Sequence, residues 1–320
     1  MKIKQEKQKV LIVGSGVIGA YLSKLLLSKK KHVIVSTRQK AGYQKNYQFL
    51  KIHKKVKFVK LNILKKNDIK KLLFKYRPKI IFYLAGISSV PKSYSNASET
   101  MNSLFAGAKL FLEVIKEKKI KTKFFKANSG YIFKGGKGKI SLHSKLNKPD
   151  SPYALAQLKS FKLVKKYQKK RVECYSGIFF NIESPLRPNN FVVKKVCKKV
   201  KTIKSNPKLK LKVGNINAVR DFGWITEMVK AAYLMTKLKP CSMIIGTGKS
   251  TSVREIIKYA FKYYKINYKD HILIEKKYLR KKEQSVIVAD IKDTVKKLKR
   301  WSWKPKIFGK KIVYKMLKSI

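Results

Sequence analysis

Short apolar runs and helix-period segments alternate along the first half of the chain. A buried run at Lys9–Val13 leads into glycines and then into a helical pattern over 17–30. Further strand-like runs fall at 32–36, 56–61, 79–84, 122–127 and 171–180, with helical stretches at 68–76, at 98–118 and after Pro152. The strands are almost continuously apolar, as strands must be when both sheet faces are covered. Strand–helix alternation of this kind predicts an α/β fold with a doubly wound parallel sheet of the Rossmann type.

After Phe180 the pattern changes. Short strands, short helices and the prolines Pro185, Pro188 and Pro207 replace the regular alternation. The sequence therefore predicts a Rossmann domain over 1–180 and a smaller C-terminal lobe over 181–320 that binds substrate. Segments near 219–247 are expected to return to the first domain.

Composition adds one anomaly. The 320 residues are 44% apolar, which suits a globular protein, but 79 Lys and Arg face only 16 Asp and Glu, a net charge of +63. Such a balance suggests an anionic partner. Only eight of the basic residues are arginine, and lysines recur along helix faces, as at Lys159, Lys162, Lys165, Lys166, Lys169 and Lys170. A site built for phosphates uses clustered Arg forks, so the charge reads as a biased, solvated surface and no specific nucleic-acid partner is expected. Cys174, Cys197 and Cys241 are isolated and offer no metal motif or disulfide frame. No apolar run has the length of a membrane span. The basic N-terminus runs straight into a strand and a glycine loop, which reads as the start of a domain and not a signal peptide. A cytoplasmic location is expected.

The first candidate site is the loop Gly14-Ser15-Gly16-Val17-Ile18-Gly19, between a predicted strand and a predicted helix. In that setting glycines permit a tight turn and close approach of a pyrophosphate to a helix N-terminus. A dinucleotide is therefore expected there. The second strand ends at Ser36-Thr37-Arg38. An acidic residue would bind a ribose diol and indicate NAD; Arg38 instead favours a 2′-phosphate, hence NADP, with NAD as the alternative. Two further segments lie where strand ends meet helix starts: Ala127-Asn128-Ser129-Gly130-Tyr131 and Ser151-Pro152-Tyr153-Ala154-Leu155-Ala156-Gln157.

With Leu84-Ala85-Gly86, these motifs resemble the extended short-chain dehydrogenases/reductases that act on nucleotide sugars, the NAD-dependent epimerase/dehydratase family. The resemblance is closest to the GDP-mannose 4,6-dehydratases: Gly177 to Pro185 resembles their Gly-x-x-Phe-Asn-His-Glu-Ser-Pro segment, and Arg220-Asp221-Phe222-Gly223 their Arg-Asp-Phe-Gly motif. Phe191 to Lys195, Glu227 to Ala231 and Trp303-Lys304-Pro305 extend it over essentially the whole chain. It implies hydride transfer at sugar C4 followed by dehydration, with Ser129 and Tyr153 catalytic. It also implies that Gly14, Gly16, Val17, Ile18, Gly19, Arg38, Leu84, Ala85, Gly86, Tyr153 and Gln157 face the cofactor. Asn181, Arg187, Lys194, Arg220, Arg280 and Glu283 would face a GDP-linked sugar, and a homodimer or higher homo-oligomer is implied. Three of the eight arginines fall on these substrate positions, matching the need of a diphosphate for guanidinium forks.

Two positions depart from the family pattern. The family's tyrosine is followed four residues later by lysine, on the same helix face, whereas here Gln157 stands in that place. An unshifted phenol titrates near about 10 and needs a neighbouring cation to act as a base at neutral pH. Tyr131 stands where the dehydratases carry the glutamate that takes the sugar C5 proton. The first departure points to slowed chemistry or to a homologue that only binds its ligand. The second points to a 4-keto reductase or epimerase.

Overall fold

The computed structural model describes residues 7–38, 44–136, 138–279 and 284–320. The strands are β1 (Lys9–Val13), β2 (His32–Thr37), β3 (Lys57–Lys60), β4 (Ile80–Tyr83), β5 (Lys123–Ser129), β6 (Cys174–Phe179), β7 (Asn181–Glu183), β8 (Leu211–Val213), β9 (Val219–Arg220), β10 (Phe222–Trp224), β11 (Ser242–Ile245), β12 (Thr251–Ser252), β13 (Ile272–Ile274) and β14 (Val286–Ile287). Seven of them form one sheet in the order β11-β6-β5-β4-β1-β2-β3. Within it β1 pairs in parallel with both β2 and β4, and the β2–β3 and β4–β5 pairs are parallel as well. The Rossmann-type α/β reading is borne out.

Residues of β1, β4 and β6 are buried nearly throughout because helices cover both faces. On one face Phe111, Leu112 and Ile115 of the helix Gly107–Glu117 and Val164 of the helix Pro152–Lys169 pack against Leu11, Tyr83 and Phe124. On the other, the Phe82 and Phe125 rings meet at a tilt, centroids 5.3 Å apart. The chain leaves β1 toward β2 and β3 on one side, and from β4 onward builds the other side. Strand order therefore reverses between β1 and β4, and a crevice opens beyond their carboxyl ends. Gly14 follows β1, and Ala85-Gly86 follow β4 at that point.

The chain divides into two compact units. One comprises Met1–Ile132, Lys148–Ile178 and Val229–Met243; the other comprises Phe133–Asn147, Phe179–Met228 and Ile244–Ile320. This corrects the predicted boundaries of 1–180 and 219–247 in two places. Residues 133–147 join the second unit, because Phe133 bridges Leu146, Ile140 bridges Ala289 and the Gly136 amide donates to the Val286 carbonyl at 3.1 Å. The returning segment shrinks to 229–243, because β9 pairs with β12 and β14 and so ties Arg220 to the second unit.

In the second unit the helices Val192–Ser205, Val253–Tyr263 and Lys310–Ser319 enclose a core of Val196, Val200, Ile256, Ile257, Ile312 and Met316. Its carboxylates are used sparingly and locally. Glu255 completes a capping box with Ser252, and Glu227 accepts from the Lys306 and Ile307 amides at 2.9 and 3.2 Å. Asp221, fully buried, accepts from the Thr247 amide and hydroxyl at 2.9 and 2.6 Å, the Gly248 amide at 2.8 Å and the Ala289 amide at 3.3 Å. One side chain thus joins the ends of three segments.

Asp221→Ala would leave three buried amides without their acceptor, at roughly 1–3 kcal/mol each. We expect a loss of about 3 kcal/mol or more, read from the midpoint of urea denaturation.

Candidate active site

The glycine loop has the geometry that its sequence implies. Gly14 has φ +108°, and a Cβ there would lie 2.8 Å from the Ala85 nitrogen, so β1 and β4 diverge with their backbones in near contact. A Cβ on Gly19 would lie 2.5 Å from the Gly14 carbonyl oxygen, so the first helical turn can lie against the loop only without a side chain. Gly16 caps the helix Val17–Ser28 in an extended conformation, and nothing lies within 4 Å of where its Cβ would be. Open space in front of a helix N-terminus suits a pyrophosphate, and the residues present fit a dinucleotide. Gly86 is at φ +142°, its missing Cβ occupied by the Leu104 side chain. Arg38, at the end of β2, pairs with Glu99 across an exposed surface.

The catalytic candidates gather at the end of β5 and the start of the helix Pro152–Lys169. That helix begins with Ser151, whose hydroxyl accepts from the Ala154 amide at 3.2 Å, and Pro152 sits at its first position. Proline there gives up no hydrogen bond and presets the backbone. Tyr153 is thereby fixed one residue into the helix, its amide donating to the Ser93 hydroxyl at 3.3 Å. Its ring meets Tyr131 edge-to-face, centroids 6.3 Å apart, within a small apolar cluster that includes Leu104 and Ala156. Ser129 Oγ accepts from the Tyr131 amide at 3.3 Å. Ser129, Tyr131 and Tyr153 are thus brought together within one unit.

Gln157, one turn on from Tyr153, is buried and engaged. Asn128 Nδ2 donates to its side-chain oxygen and to its backbone carbonyl, both at 3.1 Å, while Ser176 Oγ donates to Asn128 Oδ1 at 2.9 Å. The position that lacks the expected lysine is therefore one end of a neutral, buried chain of hydrogen bonds from β6 through β5 to the helix. Sequence reasoning passed over Asn128 and Ser176. It also passed over Lys126, whose signal was a basic residue inside the otherwise apolar run Phe124-Phe125-Lys126-Ala127.

The substrate candidates lie in the second unit. Asn181 opens β7, pairs with Phe222 in the β7–β10 ladder, and donates its amide to the Asp221 carbonyl at 3.0 Å. The Arg187 guanidinium lies over the Phe191 ring at 3.4 Å, and Lys194 Nζ donates to the Pro185 carbonyl at 2.6 Å. Arg220 is buried, with Nη1 donating to the carbonyls of Val219 and Ser285 at 2.8 and 3.2 Å. The neighbouring Asp221 carboxylate accepts from Thr247, Gly248 and Ala289. Arg280 and Glu283 lie outside the described residues. Among the described residues no helix is long and apolar enough to cross a membrane, and no group of three His, Cys, Asp or Glu side chains is arranged to hold a metal.

A model of the GDP-mannose 4,6 dehydratase family matches residues 11–316. The chain belongs to that family. It is similar to GDP-mannose 4,6 dehydratase 1 of Arabidopsis thaliana, with 30% identity covering 96% of this chain and 88% of the relative. The Drosophila melanogaster GDP-mannose 4,6 dehydratase shows 28% identity over 97% of this chain and 85% of its own. In fold, the family member superposes on dTDP-glucose 4,6-dehydratase from Bacillus anthracis in complex with NAD, with a TM-score of 0.82 at 15% identity over 98% and 96% of the two chains. UDP-glucuronic acid 4-epimerase from Bacillus cereus, in complex with UDP-glucuronic acid and NAD, gives a TM-score of 0.82 at 21% identity over 97% and 99%.

Glu183, inside the family's Asn-x-Glu-Ser-Pro segment, is 1% exposed, and its Oε2 has no hydrogen-bond partner. Burial pushes its pKa up to about 7, against an opposing pull from Arg187. A carboxyl with a raised folded-state value stabilises fully below its unfolded value and loses that contribution as pH rises through the folded one. Unfolding midpoints measured from pH 4 to 8 should therefore fall across roughly pH 4.5–7 in the wild type, and Glu183→Gln should flatten that fall.

Proposed function

We propose that this chain is an NAD(P)-dependent enzyme acting on a GDP-linked hexose in the manner of GDP-mannose 4,6-dehydratases, oxidising C4 and then eliminating water across C5 and C6. The observation that carries the reading is the packing of Ser129, Tyr131 and Tyr153 at the carboxyl end of β5, in the unit that holds the glycine loop. Tyr153 serves as the base for the C4 hydroxyl proton, and Ser129 Oγ orients that hydroxyl. A nicotinamide dinucleotide bound at the glycine loop supplies the hydride acceptor and donor. Arg187, Lys194 and Arg220, with Asn181, serve the nucleotide diphosphate, together with Arg280 and Glu283 on the family pattern. The relatives' names support the GDP-linked substrate, and the solved neighbours with NAD support the cofactor class. Arg38 directs the choice to NADP. The protein works as a soluble cytoplasmic homo-oligomer.

Tyr131 favours a second reading, reduction of a 4-keto sugar nucleotide or epimerisation at C4. Both need hydride transfer and a proton donor but no base at C5. Product analysis after incubation with GDP-mannose and each nicotinamide cofactor separates the two. A 4-keto-6-deoxy product supports the dehydratase; its absence, with NADPH consumed only when a 4-keto sugar nucleotide is added, supports the reductase.

Under either reading Tyr153→Phe removes the hydroxyl that takes or gives the C4 oxygen's proton, and turnover should fall by about 10²-fold or more in a steady-state assay. For the cofactor, Arg38→Ala should weaken NADP binding by roughly tenfold while leaving NAD within about twofold, as expected for loss of one charge-assisted contact. Fluorescence titration of both dinucleotides checks it, and equal losses would remove the basis for NADP.

A further inference from the structure

Asn128, Gln157 and Ser176 are each at most 4% exposed, yet all three are polar. Polar side chains in a packed interior are costly unless their bonds are completed, and apolar residues would fill the same space at less cost. Their bonds run in one direction only. Asn128 faces the Gln157 backbone carbonyl at 3.1 Å. A carbonyl oxygen can only accept, so the Asn128 atom that faces it must be the amide nitrogen. The same nitrogen lies 3.1 Å from the end of the Gln157 side chain. Two amide nitrogens would turn hydrogens toward each other there, so the Gln157 atom must be its oxygen. Asn128 Oδ1 is left for β6, where the Ser176 hydroxyl donates to it at 2.9 Å.

One backbone carbonyl thus sets the orientation of two amides in turn. Both bonds that Asn128 Nδ2 makes go to oxygens of Gln157, and neither uses the Gln157 amide nitrogen. With its oxygen held by Asn128, Gln157 turns Nε2 away from the strand as a donor. A helical side chain leans over the turn before its own Cα. From position 157 the amide therefore reaches toward the turn that carries Tyr153, on the same face of the helix Pro152–Lys169. That turn, the end of β5 and the glycine loop belong to one unit, whereas the substrate candidates lie in the other.

We propose that Asn128 and Ser176 are positioning residues for Gln157: they hold its amide so that Nε2 donates a hydrogen bond to an oxygen of the nicotinamide dinucleotide bound in this unit. Gln157 then offers a donor, as a lysine in its place would, but no charge. A glutamine without these partners could present either end of its amide, and half of its orientations would set an oxygen against the ligand oxygen. The inference rests on the reading of the glycine loop as a dinucleotide site.

Two measurements on the full chain test it. The first needs no ligand: solvent exchange of side-chain amide hydrogens, followed by NMR on isotope-labelled protein. The Asn128 amide, with both hydrogens bonded, should exchange about tenfold or more slower than the Gln157 amide; equal rates overturn the proposal. The second is fluorescence titration of NADP and NAD with wild type, Q157M, N128L and N128L/Q157M. Q157M removes the donor without adding charge, and should weaken the preferred dinucleotide by about fivefold or more, as for one lost hydrogen bond. N128L leaves Gln157 in place without its anchor, and should weaken it by about threefold or more. The double variant should bind within about twofold of Q157M, because Asn128 acts only through Gln157. Unchanged affinity in Q157M, or single-variant losses that add in full, overturn the proposal; a merely structural Asn128 would give the additive result. If N128L does not fold, N128S carries the same measurements. A wild type that binds neither dinucleotide overturns the glycine-loop reading and with it the ligand proposed here, and the exchange rates still decide whether Asn128 orients Gln157.

Discussion

The near contact between Gly14 and the Ala85 backbone sets the terms for the first unit. Two strands that are neighbours in the sheet, β1 and β4, send their chains in opposite directions, and the crevice between them exists only because no Cβ lies on the inner side of the turn. Gly19 imposes the same condition one turn into the helix, where the Gly14 carbonyl oxygen occupies the space of a side chain. The first helix consequently points its free amides into the crevice. The ends of β5 and the helix Pro152–Lys169 are built onto the side of the sheet that begins at this reversal.

The second unit depends on a different device. Its strands are two or three residues long and cannot hold a register by ladder bonds alone. The buried Asp221 carboxylate does part of that work by collecting donors from Thr247, Gly248 and Ala289. It fixes the chain on either side of Arg220 and Phe222, and with them the strand paired to Asn181. The Arg-Asp-Phe-Gly motif therefore sets side by side a buried guanidinium that donates to the Val219 and Ser285 carbonyls and a carboxylate that ties loops together.

Much of the first unit was legible in the sequence because its signals are local. Apolar strands, a glycine loop in a strand–helix context and a Ser-Pro pair before Tyr153 each follow from short-range physical chemistry. The boundary near 133–147 was not legible, because those residues join the second unit through bridges to residues around 286–289, far along the chain. Gln157 is legible as a polar residue one turn after Tyr153. Its partners Asn128 and Ser176 were invisible, since one is on β5 and the other on β6, and only the folded sheet brings them to one line. Lys126 was hidden for another reason: in so lysine-rich a chain, a single lysine in a strand carries no contrast until burial separates it from the others.

The placement of the acids has a consequence for how the molecule behaves in solution. Of 16 Asp and Glu, Asp221, Glu183, Glu227 and Glu255 are engaged in the interior or in capping and chain anchoring. Few carboxylates remain to offset the lysines outside, so the folded surface repels itself. Ions in the medium then act as part of the structure. Raising ionic strength toward the physiological range shortens the reach of that repulsion to about 8 Å and should favour the compact state, the reverse of what is expected for a protein held by surface ion pairs. Dilute buffer is the hostile solvent for this chain, and salt its milder one.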